Sequence, residues 1–380
     1  MVHLVEFWLD SPSIHQAPLI AEFAHLTSYE VRVVISGEIG ERRRRLGWGT
    51  PDFGRVEILE VRDPDAWPRT LQERRTEKLV VVSGYGASAA SRFVLSSLRE
   101  TGISCIIQTE GWDPSKRLLS ALRWGKYLPE ILRANRNSVV VLGIGSHAVR
   151  QFSKSWPKAQ RFYEFGYFPQ VTSTTPRKPD NPTNAEQNYL LFIGELIERK
   201  NVRALVDSWS ASGVDAGLTI VGDGELREAA MTWPASADVE WLGAIPHREV
   251  GALLERASGL VLPSRFDGWG AVVSEALLSG VPVLCSQGVG AATLLSGEGP
   301  RRGHTYRSSS ELTEAIRSFV GDLEGGVFDT AEIARWSEAH LSASAASKYL
   351  TNIIEFEFGD LAVRPKPPWK TMYVEGGSSK

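Results

Sequence analysis

GLVLPSRFDGWGAVVSEALLSGVPVLCSQ, residues 259–287, carries the pattern strand, loop, helix, strand. Leu260 to Leu262 form a short apolar run that Pro263 and Ser264 end, and Asp267-Gly268-Trp269-Gly270 makes a glycine-flanked turn into an apolar helix. Gly280 and Pro282 stop that helix. Val272, Val273, Ala276 and Leu277 lie on its expected buried side, with Glu275 among them more than one turn in. A carboxylate there needs a reason. Asp267 and Glu275 stand eight positions apart, framed by the free N–H groups of a helix start, where anions are favoured and carboxylates can accept from vicinal sugar hydroxyls. The same residues also suit an ordinary N-terminal acid plus a solvated glutamate.

The stretch resembles the acid, seven residues, acid signature of retaining glycosyltransferases of the large family 4 group. The resemblance implies an α/β fold of GT-B type, two Rossmann-like parallel-sheet domains facing each other across a cleft. It also implies that Asp267 holds hydroxyls of the transferred sugar, Glu275 holds the nucleotide ribose, and the backbone of Gly268, Trp269 and Gly270 faces sugar and phosphate. The first acid of the family is more often Glu, so the shorter Asp267 is a departure that bears on the donor sugar.

Upstream, Tyr189 to Ile193 reads as a strand that leads through Gly194 into ELIERKN and a helix with Leu205, Val206 and Trp209 inward. Family members show a glycine, an arginine and, a few residues on, a lysine, the two cations neutralising the donor diphosphate. Gly194 and Lys200 match, whereas Glu195 occupies the arginine's place. Arg199, or Arg265 in the signature loop, can restore the charge, because a guanidinium binds phosphate oxygens bidentately. LTIVGDGELREAA is a further strand and glycine turn, in which Gly222 and Gly224 relieve crowding beside a nucleotide. The segment Trp241 to Ile245 stands where the family's backbone groups hold the base.

The first half reads as a second alternation of strand and helix. VHLVEFWL is its first strand, and the following loop carries Ser13, His15 and Gln16, which the resemblance places near acceptor or phosphate; a capping loop is the plain alternative. Leu79 to Val82 and Ile103 to Ile107 are parallel-type strands, and Glu110 stands at the carboxyl end of the second, where open α/β sheets put their sites. Many relatives carry a histidine near this point, so Gln108-Thr109-Glu110 is another departure; Glu110 can orient an acceptor hydroxyl or cap the next helix. Gly143 and Gly145 make no dinucleotide fingerprint, which disfavours a dehydrogenase.

Domain boundaries follow: 1–170 for the acceptor-side domain, 171–188 for a Pro/Thr/Asn-rich linker, 189–344 for the nucleotide-sugar domain, and 345–380 for a crossover helix returning to the first domain plus a tail. The 380 residues are 42% apolar and 23% charged, which suits a globular chain with room for two domains. Cys105 and Cys285 sit in apolar strands and suggest neither disulfide nor metal. No stretch of eighteen apolar residues occurs and MVHLVEFWLDSP has no leader character, so a cytoplasmic protein is expected. Residues 1–180 hold 25 Lys and Arg against 19 Asp and Glu, net +6, and the remainder holds 17 against 26, net −9. With the basic amphipathic stretch Ser115 to Tyr127 and the Arg42 to Arg45 run, this permits peripheral contact at a membrane's inner face, while nucleic acid does not suit the overall acidity. Asp63-Pro64-Asp65 reads as a turn rather than a metal ligand pair, and no metal or other cofactor is expected.

The expectation is a retaining transfer of a sugar from a nucleoside diphosphate sugar to a hydroxyl acceptor, with Asp267, Lys200, Arg199 and Glu110 in the reacting region. A GT-B sugar-nucleotide epimerase and a non-catalytic sugar-nucleotide or partner-binding protein are the alternatives.

Overall fold

The computed structural model describes residues 2–45, 49–84, 88–113, 139–155, 161–170, 188–233 and 238–371. The chain divides into two compact units: Met1–Glu41, Gly49–Phe168 and Ala343–Pro368 make the first, and Arg42–Trp48, Pro169–Ser342 and Trp369–Lys380 the second. The basic stretch Ser115 to Tyr127 and the linker 171–187 lie outside the described residues.

The first unit is built on a seven-stranded sheet. Its strands are β1 (Leu4–Leu9), β2 (Glu30–Ile35), β3 (Glu57–Glu60), β4 (Lys78–Ser83), β5 (Ser104–Glu110), β6 (Val139–Ile144) and β7 (Phe162–Phe165). The order is β3-β2-β1-β4-β5-β6-β7, every pair parallel. Parallel strands covered on both faces must be apolar along their whole length rather than alternately, which is why LVEFWL and VVVLGI are buried at every position. Glu6 is the exception inside that run. Its Oε1 accepts from Lys78 Nζ at 2.9 Å and Trp8 Nε1 at 2.8 Å, Oε2 lies 3.5 Å from Arg32, and Lys78 also donates to the Thr70 carbonyl. Burial lowers the Lys78 pKa, partly offset by Glu6.

The second unit repeats the scheme with six strands: β8 (Tyr189–Ile193), β9 (Gly217–Val221), β10 (Val239–Gly243), β11 (Gly259–Leu262), β12 (Val283–Ser286) and β13 (Gly303–Tyr306). All are parallel, in the order β10-β9-β8-β11-β12-β13. In each sheet the order reverses once, between β1 and β4 and between β8 and β11, and the loops leaving those strands part to opposite sides. Such a switch point opens a crevice at the carboxyl ends of the strands.

The helix Ala343–Phe358 belongs to the first unit, where it packs on the helix Ala17–Leu26. Tyr163 donates to Glu357 at 2.5 Å and Tyr349 to the Glu164 carbonyl at 3.1 Å, which pin it there. Pro368–Lys370 forms a helical turn with Trp369 buried, because its indole lies 5.4 Å from that of Trp269, an apolar contact 100 positions away in sequence.

Candidate functional site

The β8–β11 switch point gathers the signature residues of the second unit. Between β11 and the helix Ala271–Leu278 the chain turns at Gly270, whose φ of +83° lies in the left-handed region; a Cβ there would come within 2.9 Å of Leu262 and Val289 side chains. The helix buries Val273 through Leu277 consecutively, while Val272 is half-exposed, so it is enclosed nearly all round rather than on one stripe. Its end is set by Gly280 at φ +74°.

Asp267 is held by its backbone: its N–H donates to Gly288 O at 3.0 Å and its carbonyl accepts from Gly290 N–H at 3.0 Å. Gly290 has to be glycine, since a Cβ would stand 2.0 Å from Gly268 O. The Asp267 carboxylate accepts from Lys200 Nζ at 2.5 Å and lies 3.6 Å from Arg199 Nη1. Arg199 Nη1 also donates to the Phe266 carbonyl at 2.8 Å. Arg265 is largely exposed; its Nε donates to Asn201 Oδ1 at 3.1 Å and its Nη1 lies 3.5 Å from Glu198. Lys200, Arg199, Arg265 and Asp267 thus form one cluster from the loops after β8 and β11.

Among the described residues, the amides of Gly268, Trp269, Gly270, Ala271 and Val272 donate to no protein group. They form a row of donors at a helix N-terminus beside Lys200, a setting that attracts anions. Trp269 contributes only its backbone: the ring is 1% exposed and its Nε1 donates to Ser274 Oγ at 3.0 Å. Glu275 is 7% exposed, and no hydrogen bond to its carboxylate is found among the described residues. Burial alone pushes its carboxyl up to about 7.

Gly194 and Gly222 stand back to back at the ends of β8 and β9. A Cβ on Gly222, whose φ is +147°, would lie 1.8 Å from Gly194 O, and one on Gly224 2.5 Å from Leu196 O. The crowding these glycines relieve includes contact between the protein's own loops. Ile245 is half-buried after the edge strand β10, and none of the described contacts joins it to the Asp267 cluster.

The first unit has its own group at the β1–β4 switch point. Gln16 Nε2 donates to Ser83 Oγ at 2.8 Å and to Gln108 Oε1 at 3.3 Å, linking the ends of β4 and β5. Ser13 acts through its carbonyl, which accepts from Gln16 and Ala17 N–H and opens the helix Ala17–Leu26. Glu110 Oε1 accepts from Tyr167 OH at 2.7 Å, and the Tyr167 ring stacks on His15 with centroids 5.4 Å apart. Asp63, by contrast, caps a short exposed turn by accepting from Asp65 N–H at 3.0 Å.

Sequence reasoning missed Tyr167, which lies in the loop after β7 and has no signal linking it to Glu110. It also missed Asn201, buried at φ +58° between Arg265 and Ser309. Gly288 and Gly290, in QGVG directly after a strand, were legible as a turn but not as the brace of Asp267.

Residues 174–323 match the family model described as glycosyl transferases group 1. An uncharacterized glycosyltransferase of Methanocaldococcus jannaschii is 29% identical over 105 residues, 27% of this chain and 29% of that one. The O-antigen chain mannosyltransferase B of Escherichia coli is 30% identical over 111 residues, again 27% of this chain and 29% of the other, so the chain spans under a third of either relative's length. Among solved structures, Anabaena HepE in complex with UDP superposes with a TM-score of 0.69 at 14% identity, covering 93% of this chain and 100% of that one. Likeness at that identity establishes the shared fold, the two-sheet GT-B architecture of glycosyltransferases.

Proposed function

We propose that the chain, whose residues 174–323 match the family model described as glycosyl transferases group 1, is a retaining glycosyltransferase that moves a sugar from a nucleoside diphosphate sugar to a hydroxyl acceptor. The observation that carries this is the convergence, at one switch point, of Lys200, Asp267, a row of helix-start amides that donate to no protein group among the described residues, and the enclosed Glu275. The cation and amides suit a diphosphate, Asp267 suits sugar hydroxyls, and Glu275 suits the two adjacent hydroxyls of a ribose.

In the proposed reaction the bond from the anomeric carbon to the diphosphate oxygen breaks, and one to the acceptor oxygen forms on the same face. The acceptor's proton passes to a phosphate oxygen of the leaving diphosphate. Catalysis then consists of positioning and of stabilising charge that grows on the leaving group. Unit charges 4 Å apart at an effective dielectric near 20 interact by roughly 4 kcal/mol, so a second cation beside Lys200 matters. Arg199 fills that place, since Glu195 stands where the family has its arginine. Charge neutralisation by side chains instead of a metal belongs to the proposal, and turnover unaffected by EDTA is its expected sign.

Gln16, Glu110 and His15 of the first unit are proposed to face the acceptor. Among the described residues no helix is long and apolar enough to cross a membrane. A cytoplasmic enzyme, touching the inner membrane face through basic segments of residues 1–170, is the proposed setting.

The test is thermal stability against UDP, GDP, ADP and dTDP, followed by assay of the matching nucleotide sugars. UDP comes first, because the Anabaena neighbour was solved with it. One nucleotide should raise the transition, and Glu275→Ala should remove the rise. If none does, the donor-site assignment fails. Binding without transfer or hydrolysis would favour the non-catalytic reading, which the glutamate at position 195 already makes the nearest rival.

A further inference from the structure

We propose that Trp369 is a positioning residue for the loop Asp267–Gly270, acting through Trp269; the inference rests on the nucleotide-sugar reading of that loop. The amides that would hold a diphosphate, Gly268 through Val272, donate to no protein group among the described residues, so their own hydrogen bonds do not fix where they point. The loop is held from behind. Asp267 N–H donates to Gly288 O, Gly290 N–H to Asp267 O, and Ala291 N–H to Trp269 O at 2.9 Å. Between Asp267 and Ala271 the other two residues are glycines, which have no side chain to anchor. Trp269 is therefore the loop's one side-chain peg over that span.

The peg is seated on two partners. Ser274 Oγ accepts from its indole N–H at 3.0 Å, and the Trp369 ring lies against it with centroids 5.4 Å apart and planes at 48°. Both indoles are buried, at 1% and 6% exposure. The approach to Trp369 is Arg364-Pro365-Lys366-Pro367-Pro368, and three prolines with fixed φ reduce the conformational freedom lost when the indole is seated. The preceding segment Ala343–Pro368 belongs to the first unit, and Trp369 to the second. Trp369 thus lies beside Trp269 within the second unit.

Loss of the indole removes one wall of the Trp269 pocket and lets the glycine-flanked loop move. Misplacement of binding groups by about 1 Å can lower rates a hundredfold, so at least about a tenfold loss of nucleotide affinity is expected. The experiment compares the full chain with Trp369→Ala, Trp369→Phe and a core control, Val320→Ala in the Leu312–Glu324 helix. Binding of UDP, GDP, ADP and dTDP is measured beside hydrogen exchange at the Asp267, Gly290 and Ala291 amides. Trp369→Ala should speed exchange at those three amides and weaken the nucleotide that the wild type binds; Trp369→Phe should restore most of both, and Val320→Ala should change neither. Trp369→Leu provides the same comparison should the alanine variant not fold. Wild-type exchange and affinity in Trp369→Ala would overturn the inference, as would equal losses in the control. If the wild-type chain binds none of the nucleotides, the donor-site reading has failed, and the exchange comparison still decides whether Trp369 holds the loop.

Discussion

Glu275 is enclosed by its helix and the strands beside it, with no hydrogen bond to its carboxylate among the described residues, and burial raises its pKa from 4.5 to about 7. Between those values the folded chain keeps a proton that the unfolded chain releases, so stability should fall as pH rises from 4.5 through 7. The full effect is about 3 kcal/mol, and Glu275→Gln should flatten that part of the pH–stability curve. Ribose hydroxyls donate to the ionised form. Nucleotide affinity should therefore rise from pH 6 to pH 8 with proton release on binding near pH 7, seen by calorimetry in buffers of different ionisation enthalpy and absent in Glu275→Gln. An unchanged affinity across that range would separate Glu275 from the donor. Lys200 is a simpler case, because a charge-assisted hydrogen bond is worth about 1.5–3 kcal/mol and Lys200→Ala should weaken diphosphate binding about ten- to a hundredfold. Arg199 touches both Asp267 and the Phe266 carbonyl, whereas Arg265 reaches toward Asn201 and Glu198. Arg199→Ala should accordingly weaken binding more than Arg265→Ala, and the reverse order in titrations would move the second cation to Arg265.

At the scale of elements, the proposed donor site is a set of loops pressed backbone to backbone, and glycine is what lets them close. Gly290 shows this directly: a methyl group in Gly290→Ala would sit 2.0 Å from the Gly268 carbonyl and displace the loop. Nucleotide binding should be lost while the far-ultraviolet circular dichroism stays near wild type; retained affinity would mean that the loop adjusts without harm. The elements themselves were readable, because fully buried parallel strands must be continuous apolar runs and the helices between them start and stop at Gly and Pro. Glycine's partner was not. Gly222 reads from sequence as room for a nucleotide, and the structure adds that a side chain there would meet Gly194 O, since a glycine marks crowding without saying what crowds it.

For the whole molecule, the two sheets carry different burdens. The first contains the charge pair Lys78–Glu6, both side chains fully buried. Lys78→Met removes one partner from a buried carboxylate and should destabilise the first unit by about 3–5 kcal/mol in urea unfolding, because the remaining charge stays buried with the Trp8 N–H and, among the described residues, Arg32 as its one remaining cation. A loss below about 1 kcal/mol would show that Arg32 suffices. What the sequence by itself determined is local: strand and helix alternation, the glycine turns, Asp267 and Glu275 at opposite ends of one helix start, and Lys200 shortly after a strand. These follow from periodicity and chain stereochemistry, which act over a few residues. Only the tertiary structure decided that Lys200 meets Asp267 across 67 positions, that Tyr167 holds Glu110 across 57, and that Trp369 seats the Trp269 ring. Such pairings depend on which loops a parallel sheet brings to the same end. Strand order sets that, and no local pattern in the chain records it.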